Sequence, residues 1–220
     1  MGRLLAQRLG YLYLDTGAMY RALAWKALRA GVPLEDAEAL TRLAQTSRIT
    51  LSGDPEHLRV AIDGQEVTEA IRAPEISRAA SIIATLEGVR RAIVAAQREM
   101  GRDGGVVLEG RDTGTVVFPD ADVKFFLDAR PEVRARRRWA QERAQGREVS
   151  FEETLRETLE RDRRDQERSA SPLRQAEDAV YLDSSDMSIE QVVERMLEII
   201  RQRLPMKTSA NREREARPSE

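Results

Sequence analysis

Four short apolar runs, Tyr11-Leu12-Tyr13-Leu14, Val106-Val107-Leu108, Val123-Lys124-Phe125-Phe126-Leu127 and Val180-Tyr181-Leu182-Asp183, each run out into a polar segment and are separated by helix-period stretches. Parallel strands need a crossover of about a dozen residues or more, usually a helix, so this alternation predicts an α/β chain with a parallel sheet covered on both faces. Ligands of such sheets sit just beyond the carboxyl ends of the strands. Three polar turns fall there, Asp15-Thr16-Gly17, Glu109-Gly110-Arg111-Asp112 and Asp128-Ala129-Arg130, and the site is sought among them.

Between the first and second runs the period changes. Helices are expected over residues 18–29 and 35–46. Alternating segments at 48–51, 58–62 and 65–67 follow, joined by Gly53-Asp54-Pro55-Glu56 and Asp63-Gly64, both hairpin signals, and predict a three-stranded antiparallel meander. Further helices are expected at 74–83 and 88–100, then one from Pro131 that breaks at Gln145-Gly146-Arg147. Ser150 with Glu153, and Ser188 with Gln191, have the spacing of capping boxes for two later helices. A short helix over residues 3–9, stopped by Gly10, opens the chain without an N-cap residue, and its first turn is expected upstream. Residues 206–220 are polar and aperiodic and read as a disordered tail after Pro205.

The absence of cysteine removes disulfides, zinc-thiolate sites and thiol nucleophiles, and fits a reducing cytoplasm. No stretch approaches the roughly 20 apolar residues of a membrane span. A net charge of -2 does not favour nucleic acid or anionic lipid as partner. Lysine stands only at positions 26, 124 and 207, so arginine supplies 33 of the 36 basic residues. Arginine forks bidentately onto phosphate, which makes small anionic substrates plausible. His57, the single histidine, falls in a hairpin far from the three turns and is given no role.

The segments LDTGAMYRALA (14–24), EGRDTGTVVFPDADVKFFLDA (109–129) and ERDRRDQERSASPL (160–173) resemble three signatures of bacterial cytidylate kinases, in the family's order. The meander resembles that family's CMP-binding insertion, so the likeness covers residues 2–204. It implies a P-loop NTPase-like parallel sheet flanked by helices, with an antiparallel insertion at 18–90, a helical lid at 134–150, and a core built from 1–17, 91–133 and 151–204. It also implies transfer of the ATP γ-phosphoryl group to CMP or dCMP, with Mg²⁺, by a monomer.

Carried over by position, the resemblance gives Arg21, Arg111 and Arg168 the phosphate of CMP. Ser81, Arg90 and Asp112 read cytosine, and Arg161 and Asp165 hold the ribose, while Thr16 lines the pocket. The catalytic group is Arg111, Asp112, Arg168 and Arg137, and Arg134, Arg137 and Arg138 close over ATP as part of the lid. Glu109, at the end of an apolar strand, stands where a P-loop fold keeps an acid near Mg²⁺. Read without the resemblance, an arginine on a charged helix is a solvated or i, i+4 paired side chain, and Ser81 is a small residue at a helix contact.

The family grips ATP with G-x-x-x-x-G-K-[ST], and these 220 residues contain no such string. The loop is expected to end where the chain begins, along with a central strand, and the chain as written is expected to be inactive. Two other readings stay open: a catalytically dead CMP-binding protein, and an arginine-rich RNA-binding module over residues 134–168. A kinase for UMP is a weaker variant of the first reading.

Overall fold

The computed structural model describes residues 1–144, 146–168 and 170–204, so the expected tail lies outside the described residues. Helix α1 (Gly2–Leu9) ends at Gly10, whose φ of 66° is the left-handed conformation that lets its amide bond back to the last turn. Strand β1 (Leu12–Asp15) follows. Asp15 then caps α2 (Thr16–Arg29) by accepting from the Ala18 amide at 2.9 Å, which starts that helix two residues earlier than its apolar period suggests.

Next come α3 (Ala37–Thr46) and the meander of β2 (Ile49–Ser52), β3 (Arg59–Ile62) and β4 (Gln65–Glu66), paired antiparallel in the order β2-β3-β4. Asp63 and Gly64 turn β3 into β4 with φ of 52° and 81°, the double positive φ of a type I′ hairpin. A 3₁₀ turn (Ala70–Arg72), α4 (Pro74–Ile83) and α5 (Glu87–Gly101) complete this part. Its apolar core runs from Ala18 to Ile93 and includes Met19, Leu23, Leu40, Ile62, Ile83 and Val89.

The remainder consists of β5 (Val106–Glu109), a π-helical turn (Thr113–Val117), β6 (Phe125–Asp128), α6 (Pro131–Ala144), α7 (Phe151–Glu167), β7 (Val180–Asp183) and α8 (Ile189–Arg203). Ser188 and Gln191 form the full reciprocal capping box. At α7 only half of the box is made: Ser150 accepts from the Glu153 amide, and Glu153 returns no bond.

The expected single sheet is two parallel pairs. β1 pairs with β5 so that Asp15 lies opposite Glu109, and β6 pairs with β7 so that Asp128 lies opposite Asp183. Both pairs pack on one helical layer, where Leu5 of α1 and Val192, Val193, Met196 and Leu197 of α8 meet Val107, Phe125, Leu127 and Leu182. In-register parallel pairing brings the acidic carboxyl ends of the strands together, and the polar turns of the candidate site start there.

Helices α3 and α5 approach closely at Gly88, where an added Cβ would fall 2.6 Å from Thr41 Cγ2 and 3.0 Å from Thr41 Cβ. Gly88→Ala is therefore expected to destabilise the protein by about 1–3 kcal/mol through overpacking. A urea midpoint unchanged from wild type would refute that close fit.

Candidate functional site

Three arginines converge on one carboxylate. Arg111 Nε lies 3.0 Å from Asp165 Oδ2, Arg161 Nε 3.9 Å from the same oxygen, and Arg168 Nη1 3.8 Å from Oδ1. The helix period places 161 and 165 on one face of α7, and Arg168 follows as its non-helical C-cap. Arg111 arrives from the turn after β5, 54 residues away in sequence. One carboxylate cannot neutralise three guanidinium groups, so the cluster keeps excess positive charge.

Crowding by the surrounding chain, then the nearby Arg111, and further off Arg21 and Arg138, pull the Arg161 guanidinium down to about 10. Burial and the neighbouring Arg90 hold Arg168 below its usual value. A bound dianion would relieve both effects.

Behind this group lies a buried ion pair. Arg90 of α5 and Asp112, with side chains 4% and 9% exposed, are directly bonded, and Arg90 also donates to the Ala84 carbonyl. The Tyr20 ring lies 5.7 Å under the Arg90 guanidinium. Burial, with the Asp112 charge acting in the same direction, pushes the Tyr20 phenol up to about 12, so it stays a neutral donor. Tyr20 Oη, Arg90 Nε and Arg168 Nη2 are buried and have no partner among the described residues. Buried donors without acceptors are costly and rare in folded proteins, and Arg90 and Arg168 both lie near enough to Tyr20 to act on it. Tyr20 went unrecognised in the sequence, where its only signal is its position beside Arg21 in LDTGAMYRALA.

Other expected residues are engaged differently. Arg21 donates to Asp15 at 2.9 Å, which holds its guanidinium at the amino end of α2. Thr16 donates to the Glu109 carbonyl at 2.8 Å and ties the ends of β1 and β5 together, so its hydroxyl hydrogen is not available to a ligand. Ser81 accepts from Arg164 Nη1 at 2.6 Å.

Of the three lid arginines, Arg134 forks onto Asp162 at 2.8 and 2.7 Å and donates to the Ala129 carbonyl, and Arg137 clamps Ser184 and the Met187 carbonyl. Both hold α6 against neighbouring elements. Arg138 pairs with Glu142 at 2.6 Å and is close enough to Arg161 to act on it.

Glu109 accepts from Tyr13 Oη at 3.2 Å, an arrangement that, after burial, pushes the Tyr13 phenol well above its ordinary value. No group of three or more metal-ligating side chains occurs among the described residues. A single carboxylate still suits Mg²⁺ that is otherwise held by phosphates and water. A cavity of about 540 Å³ opens beside α6 and α7, lined by Asp128, Arg130, Arg134, Asp162, Arg163 and Tyr181.

The parallel strand pairs and flanking helices define a P-loop NTPase-like α/β protein, with an arginine cluster gathered at Asp165. A family profile described as "Cytidylate kinase" matches residues 1–202. The chain is 48% identical to the cytidylate kinase of Geobacter sp. (strain M21), an alignment covering 92% of this chain and 87% of that protein. It is 51% identical to that of Pelotomaculum thermopropionicum, over 88% and 86% of the two chains. It is also 50% identical to the bifunctional pantoate ligase/cytidylate kinase of Synechococcus sp. (strain JA-3-3Ab), covering 96% of this chain but only 40% of that longer protein. This chain belongs to the cytidylate kinase family.

Proposed function

We propose that this chain provides the acceptor site of a kinase that transfers the γ-phosphoryl group of ATP to CMP or dCMP, giving CDP or dCDP. The observation that carries this reading is the meeting of Arg111, Arg161 and Arg168 at Asp165, with Arg21 at its border and Arg90–Asp112 behind it. Arg21, Arg111 and Arg168 take the nucleotide phosphate, Arg161 and Asp165 take the ribose hydroxyls, and Arg90, Asp112 and Ser81 take the base. Cytosine offers an exocyclic amine beside ring acceptors, and an acid next to an arginine complements both.

In the transfer step a phosphate oxygen of CMP bonds to the γ-phosphorus as its bond to the β-bridging oxygen breaks and ADP leaves. The step needs positioning and charge neutralisation more than covalent help. Arg111 and Arg168 supply both to the acceptor, and Arg137 and Arg138 extend the positive charge toward the donor. Mg²⁺ bound with ATP would neutralise the donor phosphates, with Glu109 the carboxylate nearest to hand. The 220 residues contain no G-x-x-x-x-G-K-[ST] loop. A protein made of these residues alone is expected to bind CMP without turning it over.

Arg134 of α6 pairs with Asp162 and Arg138 with Glu142, and acids interspersed among the arginines together with a net charge of -2 argue against an RNA-binding face. Among the described residues no helix is long and apolar enough to cross a membrane. We place the enzyme in the cytoplasm, as a monomer.

The test is an ATP-dependent phosphorylation assay on a protein in which these residues follow a G-x-x-x-x-G-K-[ST] loop, with CMP, dCMP, UMP and AMP in competition. CMP and dCMP are expected to be preferred, and a preference for AMP would overturn the reading. CMP binding without turnover in that protein would point to the catalytically dead alternative. In the 220-residue chain, CMP at about 100 times its Kd is expected to add about 2.7 kcal/mol of stability. Thermal melts with and without CMP measure this.

A further inference from the structure

We propose that Arg164 is a positioning residue that sets the hydrogen-bonding role of Ser81, and so helps to decide which pyrimidine the acceptor site takes. The inference rests on the assignment of CMP to this site.

Helix α7 faces α4 along two rungs. Arg164 Nη1 donates to Ser81 Oγ at 2.6 Å in a partly buried contact, and Arg78 meets Glu157 at 3.9 Å in an exposed one. The exposed rung contributes little. Among the described residues Arg164 makes no salt bridge, which sets it apart from Arg111, Arg161 and Arg168 on the same part of the molecule. Its guanidinium is directed at one hydroxyl, 83 positions away.

A serine hydroxyl has one donor and two lone pairs. A cationic donor at one lone pair fixes the rotamer and leaves the O–H as the group presented outward. Ser81 then has its O–H to offer to a ring acceptor, with one lone pair already taken. Cytosine carries acceptors at both O2 and N3, whereas in uracil N3 bears a hydrogen. With N3 as that acceptor the Arg164–Ser81 bond favours cytosine over uracil, and Asp112 is left to take the exocyclic amine. The bond also ties α4, which carries Ser81, to α7, which carries Arg161 and Asp165 and is capped by Arg168, so base and phosphate are held in one frame.

The test is a double-mutant cycle read by calorimetric titration of CMP and UMP into the 220-residue chain, with Arg164→Met, Ser81→Ala and the double variant. A hydrogen bond to a charged group predicts about a tenfold or greater rise in the CMP Kd for Arg164→Met, with a smaller change for UMP. The double variant is expected to bind CMP no more weakly than the worse single variant, and Arg164→Lys to recover part of the loss.

Multiplicative losses in the double variant, or equal losses for CMP and UMP, would overturn the role given to Arg164. Failure of the wild-type chain to bind CMP would instead overturn the functional reading itself. Unfolding midpoints of all variants within a few degrees of wild type would separate loss of positioning from loss of fold.

Discussion

Asp112→Ala is expected to be among the most destabilising single substitutions in this chain. It removes the one carboxylate bonded to Arg90 among the described residues and leaves a cation whose side chain is 4% exposed, with Arg168 close enough to act on it. Breaking a buried pair from one side costs about 3–5 kcal/mol, because the remaining charge loses its partner and cannot regain water. For a protein of this size that corresponds to a fall in Tm on the order of 10 °C. Replacing both partners with apolar residues, as in Arg90→Met with Asp112→Leu, is expected to recover most of the loss. Urea unfolding of the single and double variants without nucleotide checks both statements. An Asp112→Ala protein as stable as wild type would mean that water reaches the pair.

Arg168→Ala is expected to behave in the opposite way, losing binding with little loss of fold. Arg168 is buried, stands near Arg90, and has one Nη without a partner, so the folded state already bears a cost for holding it there. Removing its charge relieves that cost and offsets the lost Nε bond to the Ser171 carbonyl at 2.7 Å. A charge-assisted bond to phosphate is worth about 1.5–3 kcal/mol, so loss of one or two such bonds predicts a CMP Kd about 100-fold weaker. Calorimetry and unfolding curves on the same preparation test the split. If stability and affinity fell together, Arg168 would be a structural residue. The contrast with Asp112 is informative because the two side chains lie in the same cluster: one neutralises a buried charge, and the other holds a charge in readiness for a ligand.

Local signals in the sequence were read correctly where physics acts over a few residues. The Asp63-Gly64 hairpin, the Ser188–Gln191 box and the left-handed stop at Gly10 were all legible, since turn and cap chemistry depends on neighbours in the chain. Arg161 and Asp165 are legible on one helix face from their spacing of four. Asp165 as the point where Arg111, Arg161 and Arg168 meet was not legible, because Arg111 reaches it across 54 residues. Nor were the partners of Arg134 at Asp162 and of Arg137 at Ser184 legible, because they lie 28 and 47 residues away in the sequence. Tyr20 was missed for a related reason, since an aromatic on an apolar helix reads as core until its hydroxyl is seen without an acceptor. The split into two strand pairs was also hidden, because apolar runs indicate strands but not which edges bond.

Titrating the chain with CMP and with cytidine, alongside a variant carrying both Arg111→Ala and Arg168→Ala, tests most directly whether the guanidinium groups gathered at Asp165 form a nucleotide-phosphate site. One molecule of CMP should bind per chain, cytidine should bind far more weakly for want of its phosphate, and the double variant should lose most of the CMP affinity. Equal binding of cytidine and CMP, or full CMP affinity in the double variant, would contradict it.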